Sequence, residues 1–340
     1  MIFLLVRLTL SVSPTVKDGV PVQSAGRPYA GLVGIEVLPT DGEVQLGAVR
    51  LPSGKRICAG TPAEGFNEGS GIAWMAEREA AAREYARAHP GVPLLWATDA
   101  PVPDTGRVWR ELHEMAQETG LQPITLAFLD DQIPGTSGRT GSRGRPWDSG
   151  ELADPYPLSA ADAVDAAALL AEYWEYPVQP EDDDDDPRQF AEIEPFSREF
   201  PGPAPASDEA LSGAELAAAL RMIRPARLGL VPASRPSDVL SLTGFGGFTN
   251  GFGTPAEFTA VLRTWEERFG AVLCGVGFAD VRVLVTRPPR TLRAAALVAA
   301  EIRAVSDEFW PIERPGTALT SVREIAGYVK DAPFWGFWWD

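Results

Sequence analysis

The sequence predicts an α+β fold: mixed sheets with helices packed on them, in two α/β-type halves joined by a disordered Pro/Asp-rich linker. Three observations lead there. Short apolar or alternating runs recur between Gly- and Pro-containing turns, as strands do. Hydroxyl and carboxylate residues stand at capping-box spacing ahead of apolar-striped segments, as at helix starts. Between residues 175 and 212 all periodicity stops, which divides the 340-residue chain into an N-terminal region 1–174, a linker 175–212 and a C-terminal domain 213–340.

In the first region, Arg7, Thr9 and Ser11 alternate with Leu8, Leu10 and Val12. That period of two reads as a strand over 2–12 with one wet face, and not as a leader peptide. Further strands are expected over Leu32–Leu38 and Val44–Leu51. A helix follows over Ala73–Ala88, stopped by His89-Pro90-Gly91. Next come a strand over Pro93–Ala97, a helix over Val108–Thr119 with Val108, Leu112 and Met115 on one face, and a strand over Pro123–Phe128. Residues 130–150 read as a Gly- and Ser-rich loop carrying Arg139, Arg143 and Arg145, ahead of a helix over Ala160–Trp174. The linker is dense in proline and carries the run Glu181–Asp186, whose adjacent like charges repel and resist ordering.

The C-terminal region is written more clearly. Ser212 with Glu215, Thr254 with Glu257, and Ser321 with Glu324 fit the capping box, and Pro255 suits a first helical position. The second of these helices stripes Phe258, Val261, Leu262, Trp265 and Phe269. Val272–Phe278 reads as a strand buried on both faces, pairing with Val281–Val285 through a turn at Ala279-Asp280. Helices over Leu292–Val305 and Val322–Val329 precede a last strand over Phe334–Trp339. In that strand Trp335, Phe337 and Trp339 point one way, and Phe334, Gly336 and Trp338 the other, as in a central strand buried twice. Strand-helix-strand order over 94–131 and again over 228–281, with Trp109-Arg110-Glu111 matching Trp265-Glu266-Glu267, suggests an internal duplication.

Several pieces of this region carry a resemblance: Val231–Pro236, Val261-Leu262-Arg263 with Trp265–Gly270, Gly275–Phe278, Arg287-Pro288-Pro289, and the ending Phe337–Asp340. Together they resemble the family called domain of unknown function 4253 (DUF4253), common in actinobacteria, most strongly over residues 226–340. Leu95–Pro101 and Pro146–Leu152 are weaker echoes of the same family. Many relatives have a Cys-Pro-Asp-Asn-like segment where this chain reads Ser306-Asp307-Glu308-Phe309. The resemblance supplies no activity.

The residues point to no catalytic, metal or cofactor set. His89 and His113, the only histidines, have no G-x-S-x-G elbow beside them and are too few for zinc. The Asp182–Asp186 run lacks the spaced carboxylates and turn glycine of a calcium loop. In Gly244–Gly253 the third glycine of a phosphate cradle is replaced by Thr249, so a loop capped by buried Phe is the plainer account. With 47 acidic against 30 basic side chains the net charge is −17, which repels nucleic acid and anionic membranes and attracts a basic partner. No run approaches the roughly 18 apolar residues that span a bilayer. The two cysteines, Cys58 and Cys274, read as thiols of a reducing compartment, and the expected address is the cytoplasm.

The lead expectation is a non-catalytic protein-binding module, an immunity- or antitoxin-like partner of a basic protein, with no cofactor. The alternative is an enzyme or small-ligand sensor with a Trp-lined pocket in the C-terminal domain. Candidate binding residues are Trp265, Asn250, Trp335, Trp338, Trp339 and Asp340. In either case Asp340 and the terminal carboxylate would set negative charge at the mouth of an aromatic slot.

Overall fold

A computed structural model describes residues 38–58, 87–88, 91–126, 152, 155–174, 191–248, 252–277, 279–306, 308–312 and 317–339. The chain divides into two units, 1–30 and 31–340, and everything described lies in the second. The expected strand over 2–12, most of that over 32–38 and of the helix over 73–88, the loop 130–150, the acidic run 181–186, His89, Asn250 and Asp340 lie outside the described residues.

The strands are β1 (Gly42–Leu46), β2 (Val49–Cys58), β3 (Pro93–Thr98), β4 (Leu121–Leu126), β5 (Arg227–Pro232), β6 (Ala271–Val276), β7 (Asp280–Val285), β8 (Glu308–Phe309) and β9 (Phe334–Trp338). They form one mixed sheet in the order β1-β2-β3-β5-β4-β6-β7-β9-β8. The α+β class is as the sequence predicts, and strands from both halves share this sheet. β5 lies between β3 and β4, antiparallel to each. β4 and β6 are parallel neighbours, and β9 lies antiparallel to β7. β3, β4, β6 and β9 therefore run in one direction and finish at the same end of the sheet.

The helices are α1 (Thr105–Glu114), α2 (Ala116–Thr119), α3 (Leu158–Asp162), α4 (Ala166–Tyr173), α5 (Gly213–Leu220), α6 (Val239–Thr243), α7 (Pro255–Phe269), α8 (Leu292–Val305) and α9 (Val322–Val329). They cover the sheet on two sides because the strands alternate. Leu95 and Ala97 of β3 join a large core with α4 and α6–α9, while Trp96 joins a smaller core with Trp109 and Leu112 of α1 and Leu220 of α5. All three capping boxes are present, at Ser212, Thr254 and Ser321. α7 ends at Gly270, whose φ of 58° is the left-handed conformation that glycine reaches without strain.

Some expectations give way. Val44–Leu51 is a hairpin and not one strand: Leu46 faces Val49 across a turn at Gly47, φ 53°. The helix over 160–174 is two, because the Asp165 carboxylate accepts from the amides of Ala167 and Ala168 and starts α4 afresh. The duplication fails on direction: β3 and β4 are parallel across β5, whereas β5 and β6 are antiparallel across β4. β9 is buried on both faces but stands second from the edge, between β7 and the two-residue β8.

Residues 191–212 of the expected disordered linker are tied down. The amides of Ser207 and Leu211 donate to the carbonyls of Arg268 and Thr286 at 2.9 and 2.8 Å. The Ser207 hydroxyl donates to Pro288 O, and Ile193 and Ala204 are buried. Proline removes its own donor, but the residues between the prolines keep theirs and find acceptors.

Candidate functional site

In open, mostly parallel sheets that carry helices on both sides, ligands bind at the carboxyl ends of the strands, and here β4–β6 is a parallel pair in an otherwise antiparallel sheet. Here that end gathers the finish of β4, β6 and β9 with the start of β7 and β8. β4 and β6 pair only there, at Thr125–Gly275 and Leu126–Val276. Asp280 faces Trp338 across the β7–β9 ladder and holds Arg282 at 3.1 Å. Trp338 stacks on Trp310 with ring centroids 4.8 Å apart and planes 22° from parallel. The Trp310 indole N–H donates to the Glu308 carboxylate at 2.7 Å. The Ser306 hydroxyl lies 2.8 Å from Glu308 O and 3.0 Å from Trp338 O, which fixes the strand ends to one another.

The sequence-predicted residues divide between two faces. Trp265, Trp335 and Trp339 come together in the large core, where rings fill the space between rings. Trp265 is stacked with Phe337 at 5.4 Å and perpendicular to Trp335 at 5.5 Å. Trp339 sits edge-on to Phe248 and Phe258, and its indole N–H donates to Val305 O at 2.8 Å. Trp338 alone lies on the opposite face, at the strand-end site. Gly336 has the role that its missing side chain suggests: a Cβ there would collide with the Trp310 carbonyl, and the Trp310 amide donates to Gly336 O at 2.9 Å.

Behind the Trp cluster lies a charge that sequence reading missed. Glu301 of α8 is fully buried, and its oxygens accept from Arg268 Nη1 (2.8 Å) and Nη2 (2.5 Å), from the Trp265 indole (2.8 Å) and from the Ala204 amide (2.7 Å). Its signal in the sequence is position: Glu301 falls on the stripe of Val298 and Val305, three and four residues away, where a solvated acid would not stand. This carboxylate bolts the 191–212 segment to α7 and α8. Glu301→Ala is expected to cost about 3–5 kcal/mol in urea unfolding, because it strands the Arg268 guanidinium and the Ala204 amide. Glu301→Gln, which keeps the shape and some hydrogen bonds, should cost less. Equal midpoints for wild type and Glu301→Ala would show the network to be inert.

At the opposite end of β4, His113 stacks on Trp109 at 5.1 Å. Burial holds its imidazole below the ordinary value, against the raising effect of Gln122, Glu114 and Glu266. His113 Nδ1, Gln122 Oε1 and Glu266 Oε2 are buried without hydrogen-bond partners among the described residues, so Gln122 lies beside the ring without a well-aligned bond. Glu266 Oε1 takes Arg235 Nε at 3.2 Å. The folded protein therefore binds this proton less readily than the unfolded chain. Stability is full above the unfolded value of about 6.5 and is lost as pH falls through that value toward the lower folded one. His113→Phe keeps the ring stack and should flatten this part of the pH profile in urea titrations. An unchanged slope in the variant would assign the dependence to other groups.

Neither thiol is poised as a thiolate: burial raises Cys58, with Asp41 adding to the effect, and pushes Cys274 up to about 12. Among the described residues no three His, Cys, Asp or Glu side chains gather as a metal site, and no helix is long and apolar enough to cross a membrane. No curated protein and no solved structure matches the chain. Residues 227–340, beginning at the first residue of β5, match the family model described as Domain of unknown function (DUF4253), the family that these segments resemble in sequence.

Proposed function

We propose that the protein is a non-catalytic, cytoplasmic binding module that takes a basic protein partner on its acidic surface, as immunity proteins and antitoxins do. The observation that carries this is where the charge can go. The net charge is −17, and the described acids that are most deeply buried are already matched, Glu301 by Arg268 and Asp238 by Arg263 at 2.8 Å. An acidic surplus of this size speeds and orients the approach of a cationic protein wherever it meets solvent. The same surplus disfavours DNA and RNA.

The test is capture with the tagged full-length chain in its native host, followed by titration of the purified partner at low and high salt. A basic partner whose association slows steeply with salt is expected. A partner of acidic or neutral charge, bound independently of salt, would overturn the reading.

A second reading, an enzyme or small-ligand sensor, has one observation in its favour: the β4–β6 carboxyl ends lie where such sheets hold ligands. Trp265 and Trp335 pack on each other, and both they and Trp339 pack on phenylalanine rings, so a ligand would sit at the strand ends and not among them.

A further inference from the structure

We infer that the Trp310–Trp338 stack with Glu308 is a docking point for a lysine or arginine side chain of a basic protein partner. This rests on the reading above that the protein takes such a partner, and it says where and by what chemistry.

Four features converge. First, Trp310 is only partly buried, and indole faces attract cations more strongly than other aromatic rings do. Second, the Glu308 carboxylate is fixed at the edge of that ring by the 2.7 Å bond from the indole nitrogen. A cation over the ring thus meets a full negative charge beside it, and neither group must be ordered on binding. Third, the cross-strand ladder puts Asp280 beside Trp338 and Arg282 beside Gly336 on this face. Arg282 is engaged by Asp280, so its charge is countered locally. Fourth, backbone hydrogen bonds tie the place to the sheet. Trp310 is held by its amide to Gly336, Glu308 and Phe309 pair with β9, and Phe309 also exchanges backbone hydrogen bonds with Leu319. On this face α1 packs against β2, β4 and β5, while among the described residues Trp310 lies over β9, through its amide to Gly336 and its stack on Trp338. A partly exposed indole, Trp310, backed by the buried Trp338 and with an acid at its edge, has the makings of an interface anchor. The occupant is a protein side chain because the chain's net charge of −17 attracts a basic protein as a whole, while the indole and carboxylate receive one of its cations.

The experiment is a titration of the full-length protein with a hepta-arginine peptide at low salt, read by tryptophan fluorescence and calorimetry. The variants are Glu308→Gln, Trp310→Leu and, as control, Glu118→Gln, an exposed acid on α2. Wild type and control are expected to bind alike, with each site variant weaker by about fivefold or more. Glu308→Gln preserves the shape of the site and keeps the test valid where Trp310→Leu fails to fold. Equal affinity in all variants would overturn this docking point while leaving the acidic-surface reading intact. No binding to wild type at low salt would count against that reading itself.

Discussion

A chain that stops at Phe334 is expected to be unfolded at room temperature. Deleting residues 335–340 removes Trp335, Phe337 and Trp339 from the large core, where each is essentially inaccessible to water. Large aromatics bury about 150–250 Å² each. At about 25 cal/mol per Å², three of them approach or exceed the roughly 5–15 kcal/mol by which a whole domain is stable. The loss propagates. Trp265 loses its stacked and perpendicular neighbours, Phe248 and Phe258 lose Trp339, and β7 loses its ladder from Asp280 to Val283. Trp339→Ala alone should cost about 3–5 kcal/mol, in line with other buried aromatic truncations. Circular dichroism and urea titration of the truncated chain would check this. A truncated protein that melts cooperatively near the full-length midpoint would show that β9 is dispensable to the core.

Local signals carried the C-terminal elements well. α7, α8 and α9 begin and end where the caps and breakers place them, and the alternation in Phe334–Trp339 correctly sent Trp335, Phe337 and Trp339 to one core and Phe334 to the other. What periodicity cannot carry is adjacency. Nothing in Leu228–Val231 says that both its neighbours come from before residue 127, because a buried strand reads the same whoever flanks it. Proline density and the acidic run over 175–212 read as disorder, whereas in the described part, 191–212, the amides of Ala204, Ser207 and Leu211 all have fixed acceptors. Of the residues at the strand ends, Trp338 is among the candidates that the sequence names. Sequence reading missed Trp310 and Glu308, which sit in a short edge strand and the residue after it, too brief for any pattern. The sequence sets His113 aside for want of a catalytic elbow or zinc partners, and the burial that lowers its pKa, against Gln122, Glu114 and Glu266, is a tertiary fact that no local pattern carries.

Residues 213–340 produced alone are expected not to fold as they do in the intact chain. Within that fragment β5 touches no other strand: its neighbours are β3 on one side, through Trp96–Leu230 and Ala97–Gly229, and β4 on the other, from Leu121–Pro232 to Leu126–Arg227. Both sets of backbone groups would be left open, and Leu228, Leu230 and Val231, all buried in the intact chain, would face water. β6 would lose its parallel partner β4. Glu301 would lose the Ala204 amide, leaving a buried carboxylate one donor short. The family match starts at residue 227, so a cut made there would have the same fault and would lose α5 as well. Amide hydrogen exchange and chemical-shift dispersion on the 213–340 fragment should report an open, poorly dispersed state, and co-expression with residues 31–212 should restore the protected sheet. A fragment with dispersed shifts and cooperative unfolding by itself would mean that β6, β7, β9 and the helices above them hold without β5 in place. The share of stability assigned here to the central strands would then have to move to the Trp cluster.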